Sequence, residues 1–195
     1  LTINKRTLTV TANLKYIFKG EALPTFTSTI TGWVNNDQSG VVSGPQHSLS
    51  PAYSGAAGVY TITPSILVLN AATTTKYTIV YVPGTFYVNP KGNGAKNVKP
   101  RLECIEPITN GPGGYAYVAK FYYENTNTTP VYVPIGVNNA ITVVSGGYLG
   151  VQPEVFLPGI SNTFNIYFNG SSLKWNVTTY NGNQKTATAS NASST

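Results

Sequence analysis

Few residues in this chain of 195 residues are of types that do chemistry: six acids and a single histidine, His47. Hydrolysis by a general acid and base needs two carboxylates that converge on one substrate. The closest pair is Glu103 and Glu106, and three positions along a strand should place them on opposite faces. His47 lies in the stretch 44–49, which predicts a loop, and no serine has a nucleophile-elbow context. The sequence therefore predicts that the protein is not an enzyme.

Metal and cofactor sites are not predicted either. Zinc needs three or four His, Cys or acidic ligands, and calcium needs clustered carboxylate oxygens. One histidine, one cysteine and six scattered acids supply neither set. The glycine-rich stretches read as turns and open no helix, so they do not predict a phosphate site. We expect no cofactor and no metal.

Lys120 and Cys104 are the two side chains of types that form covalent cross-links. Lys120, with Glu103 or Glu106 and Asn125, has the residue types of an isopeptide-forming triad. Lysine is common on the solvent face of a strand, and we interpret Lys120 as such a residue. Cys104 is the only cysteine. It therefore cannot form a disulfide within this chain.

Aromatic residues are the remaining chemical signal, with 14 Tyr and 2 Trp. Such rings stack on sugars and are enriched at protein contact surfaces. Alternation along the strand predicted over 115–123 places Phe121 and Tyr123 on one face and Tyr122 on the opposite face. If the face of Phe121 and Tyr123 is the core, Tyr122 is the exposed ring. We predict Tyr122 as an exposed ligand-binding residue, with Tyr132 from the neighbouring run 131–135 as a second ring beside it.

Composition predicts the elements that must position these residues. Only 9% of residues are charged, whereas Gly (19), Pro (13) and Tyr are plentiful. This profile is typical of short strands joined by turns, so the predicted fold class is all-β with almost no helix. A hydrophobic content of 41% supports a buried core, and the length fits two domains.

The sequence lacks the signals of a membrane span and of nucleic-acid binding. No run of about 18 apolar residues occurs, so no membrane span is predicted. The net charge is +6, but the basic residues are scattered outside 91–101, with no basic helix and no RNA-binding aromatic signature. Nucleic acid is therefore not an expected partner.

The first module is predicted from alternating runs at 7–12, 58–64, 77–82 and 85–88. Pro83-Gly84 between the last two runs predicts a hairpin. The polar cluster in 32–38 predicts a single helical turn or a wide loop. Residues 1–6 repeat the pattern of 86–91, so we interpret them as the end of a preceding repeat in a tandem array.

A family resemblance covers residues 7–90. The order of Leu8–Ala12, Leu23–Phe26, Val34–Asp37, Gly58–Ile62 and Tyr77–Val82 resembles an MBG-type repeat. The resemblance implies a place in strings of repeats within large bacterial surface and adhesin-like proteins. Where the family carries Tyr-Gly and a polar residue, this chain has the longer stretch 16–21. The predicted fold of the module is immunoglobulin-like or β-grasp-like.

A second module follows a boundary at 91–100, which is rich in Gly and Lys and lacks periodicity, and is interpreted as a linker. In 101–195 several short runs with turn signals between them predict an immunoglobulin-like β-sandwich. Asn169-Gly170 predicts a hairpin. Six residues around that turn are expected to face one core: Phe164, Ile166, Phe168, Leu173, Trp175 and Val177.

This second module also resembles a known domain. Tyr122–Asn125, Val133–Asn139, Gly150–Glu154 and Leu173–Trp175 resemble a domain of about 90 residues that recurs in bacterial exported proteins, with a match over 99–190. The resemblance implies no catalytic role. It also implies a second cysteine after the Ala- and Ser-rich tail, outside this chain, as a disulfide partner of Cys104.

These observations favour a non-catalytic spacer: structural modules of a large extracellular bacterial adhesin-like protein, secreted or at the cell surface. The expected partners are flanking repeats of the same chain, together with surface glycans or proteins of a host or neighbouring cell. The alternative is a carbohydrate-binding module that uses exposed tyrosines of the C-terminal domain. Additional repeats in the flanking sequence would favour the spacer, and an adjoining hydrolase domain would favour the alternative.

Overall fold

The chain divides between Val88 and Asn89 into two compact units, here called unit 1 and unit 2. The structure is a computed structural model that describes residues 4–193. Both units are built from β-strands with very little helix, which confirms the predicted all-β fold class.

Unit 1 is formed by strands that are mostly four to eight residues long, joined by turns. The strands are β1 (Arg6–Ala12), β2 (Lys15–Phe18), β3 (Ser28–Thr31), β4 (Val41–Ser43), β5 (Gln46–Ser50), β6 (Gly58–Ser65), β7 (Val68–Leu69), β8 (Tyr77–Val82) and β9 (Gly84–Asn89). A short helix, α1 (Ala71–Thr74), and a 3-10 turn at Asp37–Gly40 complete the described elements of this unit.

Two sheets make up most of unit 1, with strand orders β3-β1-β8 and β2-β9-β6-β5, and β4 pairs with β7 beside them. β1 pairs in parallel with the whole of β8, from Arg6 opposite Tyr77 to Thr11 opposite Val82. On its other side β1 pairs antiparallel with β3. The N-terminal strand is thus held on both edges of its backbone.

The hairpin predicted at Pro83-Gly84 is wrong. β8 and β9 flank this dipeptide but belong to different sheets, so the turn is a corner between sheets. A Cβ atom on Gly84 would lie 2.3 Å from the carbonyl oxygen of Ala12. Glycine is needed here because the chain passes against the backbone at the end of β1.

The core of unit 1 follows the alternation of its strands. Leu8 and Val10 of β1 are fully buried, as are Ile62, Phe86 and Val88. The ring of Phe26 meets Phe86 edge to face at 5.3 Å between centroids. Period-2 patterning therefore predicted the buried faces correctly.

The helical turn predicted within 32–38 is confirmed at its C-terminal end by the 3-10 turn. Asp37 accepts hydrogen bonds from Lys76 Nζ (3.0 Å) and from the Tyr77 hydroxyl (3.0 Å). The same hydroxyl accepts a hydrogen bond from the Val34 amide at 3.0 Å. These bonds lower the pKa of Asp37, chiefly through the hydrogen bond from Lys76.

A tight turn follows β2, at the place where the chain departs from the Tyr-Gly pattern of MBG-type repeats. The Glu21 carboxylate accepts a hydrogen bond from the Phe18 amide at 2.9 Å, and the Glu21 amide donates to the Phe18 carbonyl at 3.0 Å. Gly20 has φ of 88°, which glycine adopts without strain. The longer stretch 16–21 therefore ends in a turn closed by its own side chain.

Unit 2 has longer central strands. They are β10 (Lys99–Pro107), β11 (Tyr117–Asn125), β12 (Val131–Tyr132), β13 (Asn139–Val143), β14 (Tyr148–Leu149), β15 (Val155–Phe156), β16 (Gly159–Ile160), β17 (Phe164–Phe168), β18 (Ser172–Thr178) and β19 (Gln184–Ser190). Short 3-10 turns lie at Pro112–Gly114 and Asn191–Ser193.

The strands of unit 2 form one sheet in the order β10-β11-β17-β14, with β16 on the end of β11, and a second in the order β13-β18-β19. β12 and β15 form a separate pair. The hairpin predicted at Asn169-Gly170 is wrong, because β17 and β18 belong to different sheets. The shared core is right: Ile166, Phe168, Leu173, Trp175 and Val177 are fully buried in one cluster, with Phe164 packed against it.

A buried amide ties the loops of unit 2 to this core. Asn139 is fully buried, and its Nδ2 donates to the carbonyl oxygens of Val133 (3.0 Å) and Pro153 (2.8 Å). Its Oδ1 accepts a hydrogen bond from Trp175 Nε1 at 3.0 Å. One side chain thus satisfies three groups that would otherwise be buried without partners.

The C-terminal part of the segment predicted as a linker makes contacts inside unit 2. The Lys96 amide donates to Asn127 Oδ1 and the Lys96 carbonyl accepts from Asn127 Nδ2, both at 2.8 Å. Val98 is fully buried in the core cluster, and β10 begins at Lys99. Polar composition suggested a solvated tether, but the paired amide and the buried valine fix residues 96–99 to this unit.

Candidate functional site

Tyr122, which the sequence predicts as an exposed ring, lies on the outer face of the β10-β11-β17-β14 sheet. Phe121 and Tyr123 on β11 are buried, and Tyr122 between them is half-buried on the opposite face. This is the alternation that the sequence predicts for 115–123. Tyr122 lies opposite Arg101 of β10, so a charged side chain neighbours the ring.

Tyr132 does not join Tyr122. It lies on β12, outside the sheet that carries Tyr122, and only 8% of the residue is exposed. Its backbone is fixed by two hydrogen bonds with the side chain of Asn89, which ends β9 but is the first residue of unit 2, at 2.8 Å from the amide and 2.7 Å to the carbonyl. The two-ring platform predicted from these residues is not formed, because Tyr132 is packed inside.

A cavity of about 400 Å³ lies beside Tyr122 instead. Its lining comprises Leu102, Glu103, Tyr122, Ile160, Ser161 and Thr163. Ser161 is held in place because its Oγ accepts a hydrogen bond from the Tyr123 amide and its own amide donates to the Tyr123 carbonyl, both at 3.0 Å. The cavity therefore combines one aromatic ring, one carboxylate and two hydroxyls with an apolar wall.

The carboxylate reaches this face because β10 is irregular. Leu102 pairs with Phe121 and Cys104 pairs with Lys120, so Glu103 is an extra residue in a β-bulge. Leu102 and Ile105 consequently both contact the core. The expectation that Glu103 and Glu106 lie on opposite faces is wrong, because the bulge brings both to the exposed face.

The two glutamates do not form an acid–base pair. Glu106 Oε1 lies 2.5 Å from Lys120 Nζ. The hydrogen bond from Lys120 lowers the pKa of Glu106, and the same bond raises the pKa of Lys120. Asn125 is fully buried and its Nδ2 donates to the Phe156 carbonyl at 2.8 Å. Lys120 and Glu106 therefore meet on the exposed face, whereas Asn125 is buried on the other face of β11, so the three residue types of an isopeptide triad are not brought together.

Cys104 lies next to this ion pair. Its Sγ is 3.7 Å from Glu106 Oε1, and the residue is half-buried. Desolvation is the main cause that raises the pKa of Cys104, with smaller opposing and supporting charges from Lys120 and the glutamates. A thiol with a raised pKa stays protonated and is a poor nucleophile near neutral pH.

His47 lies in strand β5, so the predicted loop is wrong at this residue. Its Nε2 is 2.8 Å from Ser28 Oγ, and its ring packs 6.4 Å from that of Phe26. Burial lowers the pKa of His47. The Ser28–His47 contact therefore links β3 to β5, which belong to the two different sheets of unit 1.

Within residues 4–193, no three His, Cys, Asp or Glu side chains lie close enough together to hold a metal ion. No helix in that range is both long and apolar enough to cross a membrane.

Comparison with known families gives a match in unit 1. Residues 8–87 match the family model described as the MBG domain (YGX type). The matched range begins in β1 and ends in β9, so the resemblance read from residues 7–90 is confirmed. The match does not extend into unit 2, for which the immunoglobulin-like assignment stays a prediction. No curated protein and no solved structure matches the chain.

Proposed function

We propose that the chain is a pair of non-catalytic spacer modules from a large extracellular bacterial adhesin-like protein. The observation that carries the proposal is the match of residues 8–87 to the MBG domain, which is typical of bacterial surface proteins. In this proposal the modules hold a distal binding domain away from the cell and so support adhesion. Flanking repeats of the same chain are the immediate partners.

Independent cores support the spacer proposal. Each unit buries apolar clusters of its own: unit 1 has one around Leu8 and another around Ile62 and Phe86, and unit 2 has one around Trp175. Across the described residues no buried side-chain nitrogen or oxygen lacks a hydrogen-bond partner. Modules with satisfied interiors can be repeated in a string without depending on a particular neighbour.

The arrangement of the titratable groups supports the non-catalytic part. Lys120 is paired with Glu106, Arg101 with Glu124 and Lys76 with Asp37. A general base has to be available to a substrate proton, whereas these acids already accept hydrogen bonds from cations. The His47 ring is engaged with Ser28.

The spacer role is testable in the parent surface protein on cells. Deleting residues 1–195 should reduce adhesion to receptors on short tethers and leave adhesion to receptors on long tethers unchanged, because only reach is lost. Replacing the segment with an unrelated β-sandwich pair of similar length should restore adhesion. Failure of that replacement, with loss of binding to the free receptor, would contradict a spacer role.

One observation favours carbohydrate binding by unit 2 as a second candidate function: the cavity beside Tyr122, with its carboxylate and hydroxyls. Aromatic rings with nearby polar groups suit sugars, which present apolar faces and rings of hydroxyls. A glycan array probed with the whole chain tests this candidate. Binding shared by the native chain and Tyr122→Ala would locate recognition elsewhere.

A further inference from the structure

We propose that the cavity bounded by Tyr122, Glu103, Ser161 and Thr163 binds an uncharged pyranose sugar. The inference rests on the second candidate function and goes further by naming the ligand class and the role of each group. Tyr122 supplies the ring against which an apolar sugar face stacks. The Glu103 carboxylate accepts hydrogen bonds from sugar hydroxyls, and Ser161 and Thr163 complete the polar edge.

The walls of the cavity come from three separate pieces of chain. The bulge in β10 supplies Leu102 and Glu103, and β11 supplies Tyr122. The segment after β15 supplies the third wall, because β16 pairs with the end of β11, with Ile160 opposite Glu124. Ile160 is 73% exposed, which leaves an apolar edge at the entrance.

The polar groups are positioned before any ligand arrives. Ser161 accepts from the Tyr123 amide through its Oγ, so its hydroxyl hydrogen remains to donate to a ligand oxygen. A serine hydroxyl whose oxygen is fixed by a backbone amide loses less conformational freedom on binding than a freely rotating one. Glu103 is exposed on the bulge, where its carboxylate offers two acceptor oxygens.

Charge selects an uncharged sugar. None of the six residues that line the cavity is basic. Three cations of β10 and β11 lie around it: Arg101 is 3.0 Å from Glu124, Lys120 is bound to Glu106, and Lys99 lies opposite Glu124 and acts on the same carboxylate. A uronic acid or sialic acid would bring its carboxylate toward Glu103 with no basic residue in the lining to compensate, and like charges in one site are repulsive.

The size of the site predicts weak binding. Its volume of about 400 Å³ lies in the ~300–1,000 Å³ range of small-ligand pockets. One ring and a few hydrogen bonds correspond to millimolar dissociation constants for a single sugar unit. A second cavity of about 370 Å³ shares Ser161 but is lined by Tyr123 and Phe164 of the core-facing side, so it is not part of the proposed site.

The test is an amide-resolved NMR titration of the whole chain with uncharged probes: glucose, galactose, mannose and N-acetylglucosamine, with their linear oligosaccharides. We expect saturable shifts confined to 102–103, 122–123 and 160–163. Tyr122→Ala should weaken binding about tenfold, while Tyr122→Phe retains it because the ring remains. Glu103→Gln should weaken it about fivefold through loss of the charged acceptor.

Tyr167→Ala is the matched control, since Tyr167 is a half-buried tyrosine of β17 that does not line the cavity. It should leave the dissociation constant unchanged. Binding of charged glycans alone would overturn this inference, and so would sugar binding that neither Tyr122→Ala nor Glu103→Gln weakens. Either result is compatible with the second candidate function. No detectable binding to the uncharged panel or to the glycan array would overturn both.

Discussion

Substitution of Asn139 by alanine should selectively destabilise unit 2. The asparagine side chain is fully buried and joins three groups: Trp175 Nε1 and the carbonyl oxygens of Val133 and Pro153. Alanine removes all three hydrogen bonds. No backbone element is lost, because the bonds between the Asn139 and Gly136 backbones do not involve the side chain.

The magnitude follows from these three bonds. A buried hydrogen bond contributes about 1 kcal/mol net, and a polar group left without a partner costs ~1–3 kcal/mol. Trp175 is fully buried, so its Nε1 is out of contact with bulk water once the Asn139 side chain is removed. We expect the free energy of unfolding of unit 2 to fall by about 3–5 kcal/mol, which lowers its Tm by roughly 12 °C or more.

Differential scanning calorimetry of the whole chain measures both units at once. The transition of unit 2 should move down while that of unit 1 stays in place. Asn138→Ala is the matched control, because the neighbouring residue is exposed and its carbonyl, which the substitution retains, accepts from the Thr178 amide. The control should stay within about 0.5 kcal/mol of the native chain. A loss below about 1 kcal/mol in Asn139→Ala, or equal shifts in both transitions, would refute this reasoning.

Three further predictions concern single residues. Gly84→Ala should destabilise unit 1 by about 1–3 kcal/mol in urea unfolding, because its Cβ would lie 2.3 Å from the Ala12 oxygen, whereas Gly44→Ala has open space and should be near neutral. Folding lowers the pKa of Asp37, so its hydrogen bonds stabilise unit 1 above the unfolded pKa, and this stabilisation is lost as the pH falls through the folded pKa. In thermal melts at acidic pH, the Tm of unit 1 should therefore depend less on pH in Asp37→Asn than in the native chain. An equal dependence of Tm on pH in both proteins would contradict this role of Asp37. Cys104 should titrate as one free thiol that reacts with a disulfide reagent more slowly than a solvated cysteine at the same pH; faster reaction would contradict the raised pKa.

Period-2 alternation predicted the strands and the buried faces, but not which strands pair. Pro83-Gly84 and Asn169-Gly170 both read as hairpin turns, yet each joins strands of different sheets. Around Asn169-Gly170 the flanking residues still share one core, because strands in opposite sheets face each other across it. Around Pro83-Gly84 they do not, since β8 and β9 pack into two separate apolar clusters of unit 1. The residue types Pro-Gly and Asn-Gly predict that the chain reverses direction. They do not determine whether the two strands pair within one sheet or lie in two sheets.

The candidate site was predicted only in part, for related reasons. Alternation on the long strand β11 placed Tyr122 outside correctly. The run around Tyr132 is too short to show a face, and Val131, Tyr132 and Val133 are all buried. Ser161 and Thr163 carry no local signal, because they reach Tyr122 only through the pairing of β16 with β11. The bulge that turns Glu103 outward likewise depends on strand register rather than on residue type.

Single-molecule stretching of the chain between its termini tests the central claim most directly. Independent spacer modules should unfold in two separate events. At ~3.6 Å per residue, residues 1–88 and 89–195 should release contour lengths of roughly 320 Å and 385 Å, less their folded lengths. Asn139→Ala should weaken only the longer event. A single event that releases the whole chain, or weakening of both events by that one substitution, would contradict the account of two independent spacer units.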